Sequence, residues 1–232
     1  VYPEVIQIVT DDASITELAD LKNSNKSVSI GDVGSGVEAN AVALLKKYGI
    51  DITFDEAKKT YTSTDIVIQN LSVAKSADAM KENKLSVFFF TSGAPATSIT
   101  ELAIAKPNSV YMIGLDDAVM QEFIADNKID GKYDVYSKQP ITNAQYSFIP
   151  EGQTVYTIGV SATYIVANSL SEEIVYNITK AMWESKGSIG HAVESTMDTA
   201  YAYVTIGNVP VHPGAAKYYR ELGLTVDNVA EI

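Results

Sequence analysis

From the start of the chain to about residue 130, short β-branched or aromatic runs alternate with amphipathic stretches. Glu4-Val5-Ile6-Gln7-Ile8-Val9 reads as a strand. Ile15 to Leu21 reads as a short helix opened by Ser14, with Glu17 three residues on completing a capping box. Val28-Ser29-Ile30 is the next strand. The helix after it sets Val37, Ala41, Leu44, Leu45 and Tyr48 on one stripe, and Gly49 closes it. Asp65 to Leu71 returns to strand, and Val73, Ala74, Ala77 and Met80 mark a further helix. Ser86 to Phe90 is apolar on both faces, as the middle of a covered parallel sheet requires. Thr97 to Lys106 is helical, Val110 to Ile113 is a strand, and Asp116 with Asp117 caps a helix to about Asn127. This alternation predicts an α/β domain with an open, mostly parallel sheet flanked by helices.

Residues 127–153 change character: Asn127, Asp130, Gly131, Lys138, Pro140, Pro150 and Gly152 punctuate a polar stretch, which reads as an excursion from the core. Val155 to Ala167 is long and strand-like. Ser171 then caps a helix with Ile174, Val175, Ile178, Ala181 and Met182 on one face and Glu172 and Glu173 in its first turn. Helix is predicted to continue to about Tyr203, and a last helix begins at Pro213 as its first-turn proline.

Composition narrows the function. The 232 residues are 46% hydrophobic and 20% charged, which excludes a disordered chain and allows one large domain or two small ones. Lys plus Arg number 17 against 29 Asp plus Glu, a net charge of -12, so no basic stripe exists to displace phosphate counterions and nucleic acid is not an expected partner. Cysteine is absent, which excludes disulfide scaffolds, thiolate metal sites and cysteine nucleophiles. The longest aliphatic and aromatic run, Val87-Phe88-Phe89-Phe90, is far shorter than the ~20 residues that span a bilayer. The chain opens directly into a strand from Val1, without a signal-peptide pattern, so a fragment or processed form with sequence missing upstream is expected.

Two turns carry candidate chemistry. Gly31-Asp32-Val33-Gly34-Ser35-Gly36-Val37-Glu38 leaves a strand and opens a helix, where free N–H groups suit an anion. Its glycine order reverses the dinucleotide fingerprint, no Lys follows as in a P-loop, and Glu38 would repel a triphosphate. A small carboxylate held by Gly34, Ser35 and Gly36 is one reading; a tight turn that binds nothing is the other. Thr91-Ser92-Gly93-Ala94-Pro95 repeats the arrangement after the Phe-rich strand, with an ordinary βα turn as its alternative. Asn70-Leu71-Ser72 adds a possible third wall through Ser72. Two or three such turns along one carboxyl edge would floor a cleft.

Enzyme constellations are poorly represented. His191 and His212 are the two histidines, neither has a ligand partner at helical spacing, and no H-E-x-x-H or G-x-S-x-G occurs. His191 near Asp198 reads as a surface or capping residue rather than half of a triad, and Asp11-Asp12 and Asp116-Asp117 as solvated caps. No catalytic residue, metal site or cofactor is expected. Tyr156, Tyr164, Tyr201 and Tyr203 read as core or interface; Tyr156, just after the Pro150–Gly152 turn, is the candidate ring facing the cleft, with a packed strand tyrosine as the alternative.

In order, these segments resemble the solute receptors of TRAP transporters, TAXI type. The resemblance is carried by Glu4–Val9, the I-T-E-L-A-D-L of 15–21, Val28-Ser29-Ile30-Gly31 with Gly34-Ser35-Gly36, and Ala77-Asp78-Ala79-Met80-Lys81 ahead of Phe88 to Pro95. Ile149-Pro150-Glu151-Gly152, Glu173 to Glu184, and Val211-His212-Pro213-Gly214-Ala215 to Tyr218-Tyr219 continue it. It implies a periplasmic-binding-protein-like type II bilobed fold whose first lobe is incomplete here. Residues 1–15 would form a hinge and first-lobe strand, 16–155 the central α/β lobe, and 156–232 a return strand and helices completing the other lobe. It further implies a non-enzymatic, extracytoplasmic receptor, periplasmic or anchored at the cell surface, that closes on a small organic anion, an amino acid or dicarboxylate such as glutamate or 2-oxoglutarate. TRAP membrane subunits would then be its protein partners. Val37 stands where relatives often carry a hydroxyl, and Asp32-Val33 where they often have small residues or proline, so the solute is expected to differ. A ligand-sensing domain of a regulator with the same bilobed fold is the alternative, and an enzyme on that scaffold is the third class.

Overall fold

Six consecutive residues of strand β1 (Pro3–Thr10), Val5 to Thr10, are buried, which puts this strand inside a sheet covered on both faces. The computed structural model describes residues 1–129, 131, 134–199 and 209–231. Around β1 stand β2 (Ser27–Ser29), β5 (Val67–Gln69), β6 (Val87–Ser92), β7 (Tyr111–Met112), β8 (Tyr136–Thr142) and β9 (Thr154–Ser161). The order is β5-β2-β6-β1-β9-β8, with β7 also pairing with β1. Strands β5, β2 and β6 run parallel, while β1 is antiparallel to both β6 and β7. The α/β architecture therefore matches expectation, with a reversed strand at its centre.

Helices α1 (Gly36–Lys47), α2 (Val73–Lys81), α3 (Thr97–Ala105) and α4 (Asp117–Asp126) connect these strands. Ser35 and Ser72 cap α1 and α2 with their hydroxyls, and Gly49 closes the first helix at φ +74°. Apolar positions of α2 and α3, among them Met80, Ile99 and Leu102, bury against Val5, Val9 and Phe88 of the sheet.

Two expectations fail here. Ser14 does not open a helix, because Asp12 accepts both its N–H and its hydroxyl; the turn that forms is a short 3-10 segment, Leu18–Leu21, whose capping carboxylate is Asp20. The polar stretch 127–153 is not an excursion: β8 lies in the sheet, and Ile141, Tyr146 and Ile149 belong to the core. Between α1 and β5, β3 (Thr53–Asp55) and β4 (Thr60–Thr62) form a hairpin, with Phe54 and Tyr61 meeting edge to face at 5.1 Å.

The backbone divides into two units, Val5–Phe123 with Lys138–Gly159, and Val1–Glu4 with Ile124–Ser137 and Val160–Ile232. In the second, α5 (Glu172–Glu184) and α6 (Pro213–Glu221) pack at Gly214, where a Cβ would stand 2.3 Å from the Glu172 carbonyl oxygen and 2.7 Å from the Tyr176 nitrogen. Val175, Thr179 and Trp183 form the buried stripe of α5, whereas Ile174 and Ile178 are 49% and 52% exposed, so the apolar face is rotated from the one expected. Trp183 joins Met197, Val211, Ala216, Tyr218 and Tyr219 in a separate core. Of the helix expected to Tyr203, the described residues 185–199 form turns and a 3-10 segment, Ala192–Thr196, opened by His191. Asp130, Tyr201 and Tyr203 lie outside the described residues.

Candidate functional site

Because β5, β2 and β6 are parallel neighbours, the turns that follow them leave one edge of the sheet side by side. These turns hold Gly34, Ser35 and Gly36, then Ser72, then Thr91, Ser92, Gly93 and Ala94, and they open α1, α2 and α3 respectively. Open α/β sheets gather ligands along such a carboxyl edge.

The first turn is built on Gly31, at φ +95°, where a Cβ would meet Val37 Cβ and Cγ1 at 2.8 Å. Its polar groups are largely committed. Ser35 Oγ accepts the Glu38 N–H at 3.1 Å, and the Glu38 carboxylate reaches back to the Gly34 N–H at 2.8 Å. The other Glu38 oxygen accepts from Asn70 Nδ2 at 2.8 Å, and the same amide donates to the Gly31 carbonyl at 2.9 Å. Glu38 is only 7% exposed. The buried carboxylate thus ties the first turn to the second, and the Gly36 and Val37 N–H groups remain as first-turn donors without intrahelical partners.

Ser72 Oγ accepts the Lys75 N–H, and behind it Ser76 Oγ donates to Ser29 Oγ at 2.9 Å. The third turn is held by a buried relay. Gln7 Nε2 donates to the Ser92 carbonyl and to Ser92 Oγ, both at 3.3 Å, and Ser92 Oγ donates to the Gly93 carbonyl at 3.0 Å. Tyr146, 2% exposed, donates to Gln7 Oε1 and accepts the Ala96 N–H at 2.6 Å. Burial pushes the Tyr146 hydroxyl up to about 12, with the Ala96 N–H pulling the other way. Thr91 Oγ1 is buried and has no hydrogen-bond partner.

Tyr156 sits apart from these contacts. It is 44% exposed on β9, its ring carries the Lys138 ammonium at 4.0 Å, and its carbonyl accepts the Leu115 N–H at 2.9 Å. Both histidines cap helical turns: His191 Nδ1 accepts the Val193 N–H, and the buried His212 Nδ1 accepts the Gly214 N–H while Nε2 faces the Leu170 carbonyl. Asp11 pairs with Lys106, Asp12 with Lys26 and Asp117 with Lys138. The Lys26 contact holds the Asp12 carboxyl well below the usual range, with the Ser14 bonds adding to it. Among the described residues no three His, Asp or Glu side chains cluster as metal ligands would.

Sequence reasoning missed the parts played by Glu38, Asn70, Gln7 and Tyr146. Ser35-x-x-Glu38 has capping-box spacing, and Gln7 is an isolated polar residue in an apolar strand, so two signals were present. Tyr146 offered none, since it lies in a polar, proline-bounded stretch.

Two solved structures of ancestral arginine-binding proteins are distantly similar. The one bound to glutamine is 16% identical with a TM-score of 0.36, and the one bound to arginine 15% identical with a TM-score of 0.38. Each similarity covers 81% of this chain and 56% of the other, so the chain spans little more than half their length. The family comparison is far more extensive: the model of the NMT1-like family matches residues 1–223, and the chain belongs to that family.

Proposed function

We propose that this chain is an extracytoplasmic solute-binding receptor, without covalent chemistry, that captures a small organic anion and passes it to the membrane subunits of a TRAP-type secondary transporter. The proposed solute is an amino acid or dicarboxylate resembling glutamate or 2-oxoglutarate. Residues 16–155 would serve as the central lobe, with 1–15 and 156–232 supplying the hinge and part of the other lobe, and binding would proceed by lobe closure. The observation that supports this reading is the convergence of three strand-to-helix turns on one sheet edge. First-turn N–H groups there can receive a carboxylate without a cationic side chain.

The test is mass spectrometry of small molecules retained by the purified chain, followed by calorimetric titration with L-glutamate, 2-oxoglutarate and a panel of amino acids. Micromolar or tighter binding of one panel member is expected. Absence of a retained solute, together with no thermal shift across the panel, would refute the receptor reading.

A further inference from the structure

We infer that the Thr91 hydroxyl is a side-chain group with which this carboxyl-edge site grips its solute, an inference that rests on the receptor reading above. It begins from the bonds that the polar side chains of this edge already make. Ser35 Oγ and Ser72 Oγ each accept a helix-cap N–H, Ser92 Oγ is bonded to Gln7 and Gly93, and both oxygens of Glu38 and both ends of Asn70 are engaged. Thr91 Oγ1 alone among buried side-chain nitrogen and oxygen atoms of the described residues lacks a partner. Buried hydroxyls are otherwise satisfied because leaving one unpaired is costly, so an exception at the end of β6, which opens onto one of the three turns, needs an explanation.

The placement agrees. Thr91 pairs with Ile6 across the sheet and, by strand alternation, shares a face with Val87 and Phe89, opposite the Phe88 face packed against α2 and α3. Helix α1 also packs on β6, and its first turn starts from the same sheet edge. Thr91 as a whole keeps partial exposure, and its hydroxyl is the part that solvent does not reach. A single staggered χ1 step moves Oγ1 to a second position around Cβ without moving the backbone. The turns 30–36, 70–72 and 92–96 contain no Lys or Arg, so a solute carboxylate or carbonyl bound there would be held by neutral donors, the Thr91 hydroxyl among them.

Thr91→Val keeps the shape and deletes the hydroxyl, and Thr91→Ser restores it. In the solute-free chain Thr91→Val is expected to melt no lower than wild type, because no internal bond is lost. Its affinity for whichever of L-glutamate, 2-oxoglutarate or the amino-acid panel binds wild type is expected to fall about tenfold or more, with Thr91→Ser within a few-fold of wild type. A lower melting point for solute-free Thr91→Val would reveal a structural partner and overturn the inference, as would unchanged affinity. Wild-type chain that binds no panel member overturns the receptor reading itself, and this inference with it.

Discussion

Tyr146→Phe isolates what holds the third turn in place. The substitution keeps the buried ring and removes one oxygen, which leaves the Ala96 N–H and Gln7 Oε1 without their partner. Each orphaned buried group costs about 1–3 kcal/mol, and with partial relaxation the loss should total ~3 kcal/mol. At a urea m-value of ~2–3 kcal/mol/M this lowers the unfolding midpoint by about 1 M. Amide exchange at Ala96 should accelerate by about tenfold or more, since its bond is the one cut. Adding Gln7→Leu removes the orphaned Oε1 as well, so the double variant should be less destabilised than the two singles added together, by about 1 kcal/mol. A midpoint within about 0.3 M of wild type, or strict additivity, would show that the relay does not fasten the turn.

Gly214→Ala should destabilise the chain by about 2 kcal/mol in urea unfolding, because α5 has to retreat from a Cβ that meets its backbone; equal or greater stability would refute the tight crossing. Gly31→Ala should cost a comparable ~2 kcal/mol, since both the positive φ and the Val37 contact oppose it, and Gly31→Ala with Val37→Ala should recover only part. In a spectrophotometric titration Tyr146 and Tyr48, whose hydroxyls burial pushes up to about 12, should ionise after the exposed tyrosines. Stability from these two groups is complete below pH ~10 and is lost as pH rises through their folded values, so a single ionisation step near 10 would contradict their burial. Asp65 accepts the N–H groups of Asp51 and Asn23 and the Lys22 ammonium, which hold its carboxyl below the usual range. Its contribution is present above pH ~4 and lost as pH falls, so the stability gap between wild type and Asp65→Asn should narrow on acidification; a constant gap would exclude the linkage.

The parallel part of the fold was readable because each element there is signalled locally. Val37 to Tyr48 has a 3.6-residue stripe with Ser35 before it and Gly49 after it, and Phe88 to Phe90 is apolar on both faces. What escaped reading depends on partners distant in sequence. Tyr146 is core because Gln7, 139 residues away, accepts its hydroxyl. Likewise β8 is a strand because β9 offers it an edge, although Lys138 and Pro140 argue otherwise locally. The face of α5 was misjudged because Trp183 buries against Tyr219 of α6 and shares its stripe with Val175 and Thr179, while Ile174 and Ile178 stay exposed. At the candidate site the turns themselves were legible from glycine and serine spacing, but which of their polar groups are already spent on one another was not.

The carboxylate that Glu38 lends to the first turn has a consequence for how the molecule depends on its surroundings. A turn of exposed amide hydrogens often folds around an ion drawn from solution, whereas this one carries its counter-charge covalently at position 38. The Gly34 amide is therefore satisfied from within the chain, whatever anions the medium supplies. Without that side chain the Gly34 amide would need an acceptor from solution instead.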